Sequence, residues 1–304
     1  MLDRLKRSLA LLPLLAAVPA AAQTPTQNPA PPPAIDQVRA LGLDSLSAPL
    51  PVFHRPADRA RATEAQALLR EAARFFADSL GLETRVHVAV LPKADWERVS
   101  RVPYGVPYIQ SGVVFLPATF DGAISEDFRK LQAGASPAVQ ALVAETGVSF
   151  DENAARMTDL IGLHELGHSY AGQMGIRPHA RWFSEFLASY FAYAFLERAA
   201  PRLAPSWHAM LQAKLESPTP AHTTLDDFER LYIGVGPENY NWYQAVFARQ
   251  VANVFRERGL GFIRVVQQQF PRTQGDPIPS AAVVERLEAI HPGFQAWSAN
   301  ILPR

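Results

Sequence analysis

Between Asp58 and Leu82, apolar residues recur at three- and four-residue steps: Ala65, Leu68, Leu69, Ala72, Phe75, Phe76 and Leu80. That spacing lines one face of a helix. Asp58 is placed to cap its start and Gly81 to stop it. The period then changes. Arg85–Leu91 alternates and is rich in valine, which reads as a strand closed by Pro92. Gly112–Leu116 reads as a second strand, with Pro117 just past it. Beyond about Gly122 the helical period returns. Candidate helices span Asn153–Met174, Arg181–Ala199, Ser206–Leu215 and Asn241–Arg258, with shorter ones at Gly261–Phe270 and Ala281–Ile290. The expectation is an α+β fold, a small N-terminal sheet lobe followed by a mostly helical C-terminal lobe, with a cleft between them.

The first 34 residues follow neither period. Arg4, Lys6 and Arg7 precede a short apolar run, Leu9–Val18, and the small residues Ala20, Ala21 and Ala22 follow it. This is the layout of a secretory signal peptide over 1–22, and the run is too short to span a bilayer comfortably. Gln23–Ala34 is polar and Pro-rich, so it reads as a solvated linker, with the folded domain over 35–304. No second apolar run is long enough for a membrane span. An Ala/Pro/Arg-rich chain with this leader points to a bacterial periplasmic or secreted protein.

Composition narrows the chemistry. Lys+Arg and Asp+Glu are both 29, so the net charge is zero and nothing draws the chain to nucleic acid. The absence of cysteine excludes disulfides, thiolate-bound zinc, thiol catalysis and a bacterial lipid anchor.

The central motif is His164-Glu165-Leu166-Gly167-His168. On a helix, residues four apart lie one above the other, so both imidazoles can bind one metal ion. Glu165, beside the first ligand, is placed to act as a general base on water. Zinc then needs a third protein ligand. Glu185 is the only acid between Glu165 and Glu197, and it is flanked by Trp182, Phe183, Phe186 and Leu187. A carboxylate on a buried face wants a cation. His179, in the preceding loop, is the rival third ligand.

HELGH followed closely by WFSEFLASY resembles the gluzincins, zinc peptidases with a glutamate as third ligand, and more distantly the aminopeptidase-N-like enzymes. The resemblance covers about Leu160 to Ala192 and implies a zincin-like fold with the motif helix between the lobes. It implies Zn2+ on His164, His168 and Glu185, Glu165 as catalytic base, and a peptide or protein substrate. It also implies a later tyrosine as oxyanion donor. Tyr243, followed by an apolar stretch ending in Gly259, is the first choice and Tyr240 the alternative. His208 and His222 could donate but have surface-like contexts. In that fold a substrate peptide adds to a sheet edge, for which Gly112–Leu116 is the candidate.

The chain departs from the family pattern at several points. Sixteen residues separate His168 from Glu185, Ser184 precedes the ligand, Phe186 replaces a common Gly, and Ser189 stands where related enzymes carry an Asp behind a ligand histidine. There is no Gly-Ala-Met-Glu-Asn segment, and Ala171 and Met174 exclude the metzincin pattern. The competing reading is a gluzincin scaffold that binds a metal or partner without turnover, or that hydrolyses another amide.

Overall fold

The computed structural model describes residues 33–216, 220–273, 275–299 and 301. The expected leader, and all of the expected linker except Pro33 and Ala34, lie outside them. Ala34 is no linker residue. It is buried as the first residue of helix α1, Ala34–Arg39.

A five-stranded mixed sheet follows. Its strands are β1 (Asp44–Leu46), β2 (Val52–His54), β3 (His87–Leu91), β4 (Tyr108–Gln110) and β5 (Val113–Pro117). Their order is β1-β2-β3-β5-β4, with β2, β3 and β5 parallel and the two edge strands antiparallel to their neighbours. The reading of Gly112–Leu116 as an edge is therefore corrected. This strand lies between β3 and β4, and the edge is the three-residue β4. A hairpin supplies the reason. Gly112, at φ 76, turns the chain so that β4 folds back on β5 and covers its free side.

The remaining helices are α2 (Arg59–Leu80), α3 (Lys93–Val99), α4 (Ala123–Lys130), α5 (Pro137–Glu145), α6 (Phe150–Gln173), α7 (Arg181–Arg198), α8 (Ala204–Leu215), α9 (Leu225–Leu231), α10 (Pro237–Arg258), α11 (Gly261–Gln269), α12 (Ser280–Ile290) and α13 (Phe294–Ala299). Helix α2 matches the apolar period and ends at Gly81 in the left-handed conformation. Its start is preceded by a 3-10 turn, Pro56–Asp58, and the Asp58 side chain makes no capping hydrogen bond. Helix α6 begins at Phe150, earlier than expected, because the Ser149 hydroxyl accepts from the Glu152 amide and caps it.

The two faces of the sheet pack differently. Ala89, Leu91, Val113 and Phe115 meet α1 and Trp96 of α3. On the other face, Val52, Val88, Val90, Val114 and Leu116 meet apolar residues of α2 and α6. That second core runs without a break through α7, α8 and α10 to α12. The expected pair of lobes is thus one continuous core, with α6 lying on the sheet through Gly162, which sits against Leu116.

Helix α7 is buried on almost every side, continuously from Glu185 to Leu196. Such a helix forms the centre of a bundle rather than its surface. It reaches α6 through Gly167. A Cβ added there would stand 2.5 Å from the Ala188 carbonyl oxygen and 2.8 Å from its Cα. Only a glycine lets the two backbones come so close.

Gly167→Ala is expected to push α6 and α7 apart and to destabilise the protein by about 1–3 kcal/mol through overpacking. Urea unfolding measures this. An unchanged midpoint would show that the two helices re-space freely.

Candidate metal centre

His164 and His168 lie four residues apart on α6, with ring centroids 4.9 Å apart. Glu185 enters from the first turns of α7. One ligand atom from each of these three residues can be chosen so that all lie within 4.8 Å of one another, and the group can hold a metal ion. The Glu185 Oε2 atom is 3.1 Å from His164 Nε2 and 3.7 Å from His168 Nε2. Both imidazoles thus present Nε2 to the same point.

Their other nitrogens face serines. His164 Nδ1 is 3.1 Å from Ser189 Oγ, and His168 Nδ1 is 3.4 Å from Ser184 Oγ. A ring that donates Nδ1–H outward keeps the Nε2 lone pair for a cation. The two serines that mark departures from the family pattern therefore sit directly behind the two histidines.

Glu185 is 4% exposed, so its charge must be compensated inside the protein. Burial alone would push its carboxyl up. Hydrogen bonds to His164 and His168, and their charge, outweigh burial and hold it well below the usual carboxylate range. The opposite holds next door. Burial dominates at Glu165 and raises its carboxyl, with Glu185 adding to the effect; His164, His168 and the Ile109 amide of β4 offset it only in part. A buried carboxyl that holds its proton more tightly than usual is suited to take one up.

Two side chains that sequence reasoning missed complete the surroundings of Glu185. The Tyr232 hydroxyl donates to Oε1 at 2.8 Å, and the Gln244 amide donates to Oε2 at 2.9 Å. Gln244 carries a signal in hindsight: it lies four residues after Tyr240 on α10, on the same face. Tyr232 carries none. It sits in a short 3-10 turn, Tyr232–Val235, with φ 51 and ψ −119, a conformation that costs a non-glycine residue about 1–3 kcal/mol.

The two candidate tyrosines, Tyr243 and Tyr240, are placed differently. Tyr243 is fully buried and its hydroxyl donates to the Thr224 carbonyl at 2.7 Å, so it is occupied away from the histidines. Tyr240 faces the centre. Its ring crosses that of Tyr232 with centroids 5.8 Å apart. Burial raises its hydroxyl well above the usual phenol range, and the charge of Glu185, the Tyr232 hydroxyl with which it shares a hydrogen bond and, more weakly, Glu165 raise it further. The remaining histidines lie elsewhere. His179 Nδ1 accepts from the Ile278 amide, His208 pairs with Glu197 and His222 with Asp227.

In the metal-free protein, burial would lower the His168 imidazole, but the hydrogen bond and charge of Glu185, helped by Glu165, raise it from 6.5 to about 9. A raised value means that protonation at His168 stabilises the fold fully below pH 6.5, and that this contribution is lost as pH rises through about 9. A metal ion bound there would take the place of that proton. The melting temperature of the chelator-treated protein is therefore expected to fall between pH 6.5 and 9, while apparent metal affinity rises over the same window. Differential scanning calorimetry with and without chelator tests this; a flat metal-free profile would mean that His168 and Glu185 share no proton.

No helix among the described residues is long and apolar enough to cross a membrane. Comparison with protein-family models, curated proteins and solved structures finds no match, so the chemistry of this centre rests on its own side chains.

Proposed function

We propose that this chain is an exported, zinc-dependent hydrolase of zincin-like architecture that cleaves peptide bonds, with the metal on His164, His168 and Glu185. The observation that carries the reading is the convergence of two Nε2 atoms and one carboxylate oxygen, with the buried carboxyl of Glu165 one residue from the first ligand. Two histidines and a glutamate are a standard hydrolytic zinc set, and the donors fit that ion in kind and number. The serines behind both rings fit it as well, because they leave the Nε2 atoms for the metal.

A zinc ion held there supplies Lewis acidity and lowers the pKa of water. The chain's own residues do the rest. Glu165 takes a proton from the attacking water and passes it to the departing amine. Tyr240 is the phenol beside the centre whose hydroxyl shares a hydrogen bond with Tyr232 and none with a ligand carboxylate, and it is assigned as donor to the developing oxyanion. The edge strand β4 lies against α6, and the Ile109 amide acts on Glu165. A substrate peptide laid along β4 would therefore pass the general base directly, which favours peptides over small amides.

The test is cleavage of an unbiased peptide library by the zinc-loaded protein beside Glu165→Gln. The wild type is expected to cleave and the variant to lose at least about 10²–10⁴-fold in rate while binding zinc normally. Equal cleavage by both proteins, or none by a zinc-loaded wild type, would sink the peptidase reading.

On the same substrates, Tyr240→Phe is expected to lower kcat by about 10²–10³-fold with little change in KM. Tyr243→Phe is expected to keep the wild-type rate. The reverse order would return the oxyanion role to Tyr243.

A further inference from the structure

Glu185 is held from outside the metal centre as well as from within. Its Oε2 atom faces both imidazoles and also accepts from Gln244, while Oε1 accepts from Tyr232. The two donors come from different elements. Gln244 stands on α10, and Tyr232 follows α9, 47 residues beyond the carboxylate it touches.

Tyr232 is fastened in several ways. Its ring meets Phe228 and Tyr240 edge-on, with centroids 5.5 and 5.8 Å away. The Arg181 guanidinium lies 5.2 Å from the ring centroid. The Arg181 amide, at the start of α7, donates to Glu229 of α9 at 2.7 Å. These contacts tie the segment after α9 to the helix that carries Glu185. A phenylalanine would make all the ring contacts, so packing does not account for the hydroxyl. Packing also gives no reason for a tyrosine at positive φ, where an asparagine or glycine is at ease. What the hydroxyl adds is a hydrogen bond to the outer oxygen of a buried carboxylate, beside one that it shares with Tyr240.

We propose that Tyr232 and Gln244 form a two-point clamp that presents a single oxygen of Glu185 to the metal, so that both are positioning residues of the centre. The proposal rests on the metal reading above. Without the clamp, Glu185 can rotate on its side-chain torsions and turn away from the imidazoles. The strained turn at 232–236 is the backbone conformation that aims the hydroxyl, and the positive φ of Gly236 closes it.

The experiment measures metal affinity and coordination, with no turnover involved. Wild type, Tyr232→Phe, Gln244→Leu and Tyr243→Phe are titrated with Zn2+ against a chromophoric chelator. The visible spectrum of each Co2+-loaded protein reports ligand geometry, and thermal melting of the metal-free forms checks folding. Tyr232→Phe and Gln244→Leu are each expected to bind zinc about 10–100-fold more weakly, the range for partners that orient a metal ligand, with an altered Co2+ spectrum. Tyr243→Phe, whose hydroxyl serves Thr224, is expected to match the wild type in both. Wild-type affinity and spectrum in both Tyr232→Phe and Gln244→Leu would overturn the clamp and leave the metal centre standing. Failure of the wild type to bind any metal would overturn the centre itself. Should Tyr232→Phe fail to fold, Gln244→Leu carries the test alone, and wild-type behaviour in it overturns the clamp.

Discussion

The close approach of α6 and α7 at Gly167 and Ala188 is the constraint on which the rest of the structure depends. Two side chains of the candidate metal centre stand on one helix and the third on the other, so the distance between the backbones sets the distance between the three groups. With any side chain at Gly167, the Ala188 carbonyl oxygen would have to move. The same glycine sits inside the motif that carries both histidines. The close packing and the candidate metal-binding histidines are thus encoded in the same five residues. On its far side α6 rests on the sheet through Gly162 and Leu116, so it is located from two directions.

That geometry brings a charged group into a low-dielectric interior, which has an energetic consequence. Glu185 lies in a run of buried residues that extends through Leu196. An ionised carboxylate there is tolerated only because every nearby element contributes a partner: imidazoles from α6, an amide from α10 and a phenol from the turn after α9. The arrangement also separates the two carboxylates of the centre. Glu185 is held charged by its hydrogen bonds, whereas Glu165, with fewer partners, is pushed towards its neutral form. Environment alone thus sets the two carboxyls apart, one held charged and the other drawn to its neutral form.

The sequence disclosed those parts of the fold and site that depend on local spacing. His164 and His168 share a helix face because they are four residues apart, and Glu185 stood out as the one acid in a long apolar run. Ser184 and Ser189 were already visible as departures from a familiar pattern. Long helices such as α2, α6, α7 and α10 declared themselves by period. What escaped depends on tertiary placement. Strand β4 has three residues, too few to show alternation, so β5 was read as an edge. Tyr240 and Tyr243 are three residues apart on α10, and only the position of Thr224 and of Tyr232 tells which ring turns towards the histidines. Tyr232 belongs to no periodic element, and its backbone conformation is one that no propensity favours.

Helix α7 is encased by neighbours, while β4 and the turn at 232–236 lie at the margin of the core. Ile233, at the tip of that turn, is 74% exposed. This most exposed apolar side chain thus lies next to Tyr232 but outside the helices that bear the histidines and Glu185. Substitution at Ile233 would therefore alter the surface chemistry beside Tyr232 while α6 and α7 keep their spacing.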